Sequence, residues 1–409
     1  MNNQKNEVIQ MSDNLAYIFF QNKLFELAHQ QSKITLSLEP LNPNAHFNAA
    51  RCCYYVSKYD KAIEHVKIAM MLDGNNIEGY KRELALYLPW VGEDKAAIEI
   101  LQSLPQDPRT KFNLGWYALK RNNILEGFKL LENGRLINCW GSKTDLPIPK
   151  WDGSNIRGKK LLIVNEGGVG DEIIFFRFAL QLRDHGVNVS ILPTQPLFPV
   201  FSRTPGINLE TSMDNYKKYD FWVPSMSLPF VMKTEKISGS PYLQPNQLYV
   251  DKWKKKINTQ NFNVGVRWQG GKLYEHDQRR TLPADYLANN IKRRYPSYNF
   301  YSLQKESDEK CPEEFINLEN ELQSWEDTIA VISLMDVVIT SCTSIAHIAG
   351  ALGKTTFVII PIVSYFTWAK DGNKTDWYNT VTLFRQPNPY FWNVPIDQVV
   401  DQLEQIKKS

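Results

Sequence analysis

Several features that would narrow the function are scarce or missing. The five cysteines, Cys52, Cys53, Cys139, Cys311 and Cys342, include no Cys-x-x-Cys pair, which argues against a zinc knuckle. Their odd number, with a polar stretch over 1–14 that lacks the apolar core of a signal peptide, predicts a reducing, cytoplasmic location. No run of about 18 apolar residues occurs, so the sequence predicts no membrane span. Charge of one sign is equally scarce. The net charge is +3 and the largest basic cluster is Lys252 with Lys254-Lys255-Lys256, read as a solvated helix face. That scatter excludes the basic stripe of a nucleic-acid binder. No Asp-x-Asp pair exists to clamp a metal-bound diphosphate.

What remains is a globular composition over 409 residues, 43% hydrophobic and 22% charged, long enough for two or three domains. Aromatics reach 12%, with 11 Trp, enough for ring-lined clefts or for cores.

The first third carries an internal period. Ala28, Ala62 and Ala96 lie 34 residues apart, and Pro40, Gly74 and Pro108 repeat that spacing. In the middle unit Ala50, Ala62 and Ala69 mark where paired helices approach, with Tyr59 near the turn between them. Gly115 and Gly127 repeat the Ala50-to-Ala62 offset in a shortened fourth unit. The period predicts helical repeats over 12–137, which form either a concave protein-binding surface or a platform for self-association.

A Pro/Gly connector, Pro147 to Gly158, precedes two successive α/β patterns. The first runs from the apolar strand Lys160–Val164 through Gly167-Gly168-Val169-Gly170-Asp171 into a helix. Strand, glycine turn and helix together place backbone N–H groups where an anion binds. The glycines lack G-x-G-x-x-G spacing, so this is not a dinucleotide fingerprint. Asp171 fits two roles, an N-cap and a general base toward an acceptor hydroxyl. The two coexist only where a carboxylate oxygen stays free. Strands are further predicted at Val187–Leu192 and Phe221–Val223.

The second pattern has strands at 263–268, 299–303, 337–340 and 356–360, with helices at 284–294, 325–335 and 344–352. Loops at the strands' carboxyl ends offer Arg267, Gln269 and Lys272, then Gln304, then Thr343, Ser344 and His347. Cations and helix-start donors are what a diphosphate requires. Each has a plainer alternative: Lys272, Arg279 and Arg280 as solvated charges, Thr343 and Ser344 as caps, His347 as a bonded core histidine. Cys342 reads as a small buried residue, and Glu275, His276 and Asp277 as a solvated loop. The predicted divisions are 1–140, 141–258 and 259–409.

Trp151-Asp152-Gly153, the turn 166–171, Arg267-Trp268-Gln269-Gly270 and Phe300-Tyr301-Ser302-Leu303-Gln304 occur in that order, followed by 340–353, Trp377-Tyr378 and Leu383-Phe384-Arg385-Gln386. Over about 150–395 this series resembles the ADP-heptose:lipopolysaccharide heptosyltransferases, glycosyltransferase family 9, joined to tetratricopeptide repeats as in bacterial repeat proteins of that kind. The resemblance implies a GT-B fold, inversion at the anomeric carbon and no metal or other cofactor. Asp171 would be the base, Lys272 a donor-phosphate contact and the late loop a phosphate site. In the family that loop starts with an aspartate that contacts the donor sugar; here the position is Cys342, so donor and acceptor identities do not carry over. The joining of repeats to GT-B also resembles protein O-GlcNAc transferases in architecture. The expected partners are a nucleotide-sugar donor, a saccharide or protein acceptor, and a protein or second copy on the repeats. A non-catalytic scaffold that binds a nucleotide sugar or protein is the competing expectation.

Overall fold

The computed structural model describes residues 2–141, 144–271, 277–305, 307, 310–389 and 391–407. The chain forms two compact units. One holds the residues up to Thr110; the other holds Lys111–Pro387 and the stretch from Phe391.

The first unit is a stack of antiparallel helix pairs: α1 (Asn2–Gln21) with α2 (Phe25–Leu38), α3 (Pro43–Tyr55) with α4 (Tyr59–Leu72), and α5 (Ile77–Tyr87) with α6 (Asp94–Ser103). Each pair turns through one left-handed residue: Lys23 (φ 59°), Ser57 (φ 60°) and Gly92 (φ 82°). Ala28 and Ala62 are fully buried, as the period requires. In the third pair the period slips. A 3-10 turn, Leu88–Val91, precedes Gly92 and adds one residue, so Ala97 is the buried equivalent and Ala96 is only half-buried. Aromatic rings fill the space between pairs, with Tyr54 stacked on Tyr87 at 4.8 Å and Tyr59 on Trp90 at 4.7 Å.

The predicted boundary at 140 is displaced. Helix α7 (Pro108–Lys120) enters the second unit at Lys111, followed there by α8 (Ile124–Leu131) and α9 (Asn133–Leu136). Gly115 and Gly127 let α7 and α8 close: a Cβ on Gly115 would stand 3.1 Å from the Gly127 carbonyl oxygen. The reason for the displacement is aromatic. Phe128 lies 6.3 Å from Phe175 and 5.5 Å from Phe366, and Trp116 lies 5.8 Å from Tyr365. Arg135 adds a two-pronged ion pair to the buried Glu166, at 2.8 Å on each oxygen.

Two parallel sheets follow. The first contains β1 (Lys160–Val164), β2 (Asn188–Leu192), β3 (Asn208–Leu209) and β4 (Phe221–Pro224), in the order β3-β2-β1-β4. Its helices are α10 (Val169–Asp184), α11 (Phe198–Ser202) and α12 (Leu228–Val231). The second contains β5 (Asn263–Arg267), β6 (Asn299–Ser302), β7 (Ile316–Asn317), β8 (Val337–Ser341), β9 (Thr356–Ile360) and β10 (Val381–Arg385), in the order β10-β9-β8-β5-β6-β7. Around it lie α13 (Gln247–Lys254), α14 (Ala284–Arg294), α15 (Trp325–Ser333), α16 (Ser344–Ala351) and α17 (Asn393–Lys407). Strands β1, β5, β8 and β9 are buried along almost their whole length, which is why they read as continuous apolar runs. The architecture is thus a helical-repeat unit followed by two Rossmann-like lobes, the predicted fold class.

The basic helix α13 is not simply solvated. Lys252 Nζ and Trp253 Nε1 both donate to Asp327 Oδ1 of α15, at 2.6 and 2.9 Å. Arg177 of α10 pins the lobes together. It donates to the carbonyls of Ser238 in the interlobe connector and Trp377 in the second lobe, at 3.0 and 2.9 Å. Its guanidinium lies within about 5 Å of the Tyr242, Trp377 and Tyr378 rings.

Candidate functional site

In a parallel sheet, ligands collect beyond the carboxyl end of the strand where the order reverses. Those strands are β1 in the first lobe and β5 in the second, and the two lobes approach each other where α10 and α16 begin. Two helix starts converge there. A Cβ placed on Gly170, in the first turn of α10, would lie 3.2 Å from His347 Cδ2 and 3.7 Å from Ser344 Cα, in the first turn of α16. Both helix starts are positively polarised, and a glycine at 170 keeps the approach close.

The glycine turn is shaped around one carboxylate. Gly167 is left-handed (φ 77°), and a Cβ there would stand within 2.4 Å of Asp171 Oδ2. That oxygen accepts the Gly168 N–H at 2.9 Å. Gly168 is the N-cap of α10 and Asp171 stands at its third position, which corrects the N-cap reading of Asp171. The other carboxylate oxygen, Oδ1, accepts the Tyr365 hydroxyl at 2.7 Å, a bond that crosses from the second lobe. Neither oxygen is free of partners, yet each keeps a second lone pair for an acceptor hydroxyl. Burial raises the Asp171 carboxyl above the ordinary carboxylate range, opposed by Tyr365, Gly168 and the charge of Arg280. A carboxylate made more basic in this way is better suited to take a proton at neutral pH. Glu172 turns away, its Oε2 accepting from Asn165 Nδ2 at 2.9 Å and from the Thr194 N–H at 3.1 Å.

On the second lobe, Thr343 stands at the N-cap of α16, but its hydroxyl is 3.1 Å from Thr340 Oγ1 and does not cap the helix. The capping alternative for Thr343 is thereby set aside. Ser344 is half-exposed beside Gly170. His347 is buried, with Nδ1 3.2 Å from the Tyr378 hydroxyl and its ring stacked on Trp368 at 4.8 Å. Burial, then Arg177 and Arg280, push its pKa down to about 3, so at neutral pH it is an uncharged imidazole.

The first and second loops brace each other. Arg267 donates from Nε to the Gln269 carbonyl at 2.9 Å and from Nη1 to that of Leu303 at 3.0 Å. Gln304 Oε1 accepts the Gln269 N–H at 3.0 Å, while Gln269 Oε1 accepts from Ser307 at 2.9 Å. These three predicted donor contacts are thus brought together, with these groups on loop atoms. Lys272, with Glu275 and His276, lies outside the described residues. Asp277 corrects the solvated-loop expectation: it is buried and bonds Arg280 Nε at 2.7 Å, because Gly270 leaves room for the pair. Arg280 also donates to the Cys342 carbonyl at 2.7 Å, which places a cation beside the α16 start. Cys342 is buried, as expected of a small core residue, and burial raises its thiol pKa. Tyr365 was not foreseen: it comes from a loop with no motif and reaches Asp171 across 194 positions.

No family model matches the chain. Protein FlbA of Caulobacter vibrioides is 24% identical over 366 residues, covering 78% of this chain and 60% of FlbA. The chain therefore spans less than two-thirds of that relative's length. Among solved structures, E. coli ADP-heptose lps heptosyltransferase II is similar to 61% of this chain over its whole length, with 12% identity and a TM-score of 0.47. The structure of MamA is similar to 32% of this chain over 81% of its own length, with 17% identity and a TM-score of 0.28. The two-lobe assignment rests on the strand order and register described above.

Proposed function

We propose that the chain is an inverting glycosyltransferase that needs no metal and moves a sugar from a nucleotide-diphosphate donor to a hydroxyl of a saccharide or protein. The observation that carries this reading is the contact of the α10 and α16 starts at Gly170, with Asp171 one residue away. The donor diphosphate lies at the Thr343–Ser344 start of α16, neutralised by Arg280 and assisted by Arg267, Gln269 and Lys272 of the loop after β5 and by Gln304 of the loop after β6. The acceptor hydroxyl comes from the first lobe, over Gly167, Gly168 and Gly170. Asp171 takes the hydroxyl proton as the new bond to the anomeric carbon forms. The bond from that carbon to the diphosphate breaks, and the leaving group departs with its electron pair onto the helix-start N–H groups. His347 is an uncharged imidazole at neutral pH and takes no part in the proton transfer. The repeats supply a surface for a protein acceptor, a partner or a second copy.

A non-catalytic binding module is the second reading, and the two hydrogen bonds already on Asp171 are what favour it. A panel of nucleotide sugars separates the two. An enzyme is stabilised thermally by its donor and releases nucleoside diphosphate in the presence of acceptor or water. A binder shows the stabilisation alone. If no nucleotide sugar shifts the unfolding temperature, both fail.

A further inference from the structure

The geometry points to Tyr365 as a positioning residue for the proton acceptor: its hydroxyl, carried by the second lobe, aims the Asp171 carboxylate of the first. This rests on the proposed role of Asp171 as base. Three observations carry it. The Tyr365 hydroxyl donates to Asp171 Oδ1 at 2.7 Å, while Gly168 N–H holds Oδ2 at 2.9 Å, so the two bonds together fix the carboxylate plane. The two donors belong to different lobes, so the base is fully oriented only in the lobe arrangement seen here. Finally, the Tyr365 ring is held independently of its hydroxyl: it packs on Phe366 at 4.3 Å and on Trp116 at 5.8 Å. A ring anchored by two aromatics leaves the hydroxyl a fixed donor with little freedom to lose on bonding.

Among the described residues, the charged or titratable groups around Asp171 are few. Arg280 faces it from the loop after β5, Tyr365 from the loop after β9, Glu172 follows it on α10, and His347 faces its neighbour Gly170 from α16. Of these, Arg280 and Tyr365 favour the ionised carboxylate. Removing the Tyr365 hydroxyl takes away a bond made to the charged form, so the pKa of Asp171 rises further. The base is then protonated over more of the pH range, and the acidic limb of the rate profile moves to higher pH.

The test is Tyr365→Phe, which keeps the ring and its packing and deletes one oxygen. The pH profile of nucleoside-diphosphate release is measured with whichever nucleotide sugar gives the largest thermal shift. In parallel, the Asp171 carboxyl is titrated by carbon-13 NMR of aspartate-labelled protein, its resonance assigned by its loss in Asp171→Asn. The expected result is an acidic limb and a carboxyl titration both displaced upward. Release just below the wild-type limb should fall roughly tenfold, with the KM for donor unchanged and the unfolding temperature lowered by the loss of one hydrogen bond. Superimposable profiles and titrations for wild type and Tyr365→Phe overturn the assignment, since a purely structural tyrosine would give that result. Asp171→Asn keeps the two failures apart. Full release in that variant sinks the underlying reading, whereas an inactive Asp171→Asn beside an unshifted Tyr365→Phe sinks only the positioning role.

Discussion

Gly167→Ala separates the cost of backbone strain from the cost of disturbing the site. Gly167 and Gly158 share the same left-handed backbone (φ 77° at each), but their surroundings differ. A Cβ on Gly158 meets nothing within 4 Å, whereas one on Gly167 falls on the Asp171 carboxylate. Alanine at either site carries the left-handed penalty of about 1–2 kcal/mol. At Gly167 the methyl also drives Asp171 off the Gly168 N–H, a hydrogen bond to a charged group worth about 1.5–3 kcal/mol. If that bond orients the base in the transition state, its loss costs roughly 10- to 150-fold in turnover. Urea unfolding gives the first quantity, and nucleoside-diphosphate release gives the second. The predicted outcome is Gly158→Ala destabilised with normal turnover, and Gly167→Ala at least as destabilised with turnover down by that factor. Equal turnover in the two variants would refute the claim that the glycine turn exists to seat Asp171.

Other substitutions probe separate parts of the account. His347 is buried with its pKa depressed to about 3, so the unfolded chain binds its proton first as pH falls below about 6.5. Stability should therefore decline by up to about 1.4 kcal/mol per pH unit from this group between those values. Urea titrations at pH 7 and pH 5 should show a shallower decline in His347→Gln; an unchanged slope contradicts the neutral assignment. Arg135→Met strands the buried Glu166 and should cost about 3–5 kcal/mol. Adding Glu166→Gln should restore part of that loss, and strict additivity in the double-mutant cycle would deny the pairing. In the repeats, Ala97→Leu should overpack the third pair by about 1–3 kcal/mol. Ala96→Leu should stay within about 0.5 kcal/mol by thermal unfolding, and the reverse order would restore the strict 34-residue register.

Much of the α/β part was legible because parallel strands buried on both faces leave unbroken apolar runs; β9 and α14 fall on the residues predicted. Two-residue strands such as β3 and β7 leave no such trace, and β10 was noted only as a motif. The repeat period was visible through Ala28 and Ala62. The slip to Ala97 was not, because one added residue before a left-handed glycine changes register without changing composition. Trp116 and Phe128 lie inside the 12–137 stretch predicted as repeats, and nothing local tells a ring that faces a neighbouring repeat from one that packs on the α/β lobes. Asp171 and the α16 start stand out in the sequence because helix starts carry local signatures. Tyr365 and the burial of Asp277 were missed because both are set by contacts distant in sequence or by the space an adjacent glycine leaves.

The most direct test of the central claim is Asp171→Asn assayed beside wild type for thermal stabilisation by a nucleotide sugar and for release of the nucleoside diphosphate. The account predicts that stabilisation is retained while release falls about 100-fold or more. Release at the wild-type rate from the asparagine variant would contradict it.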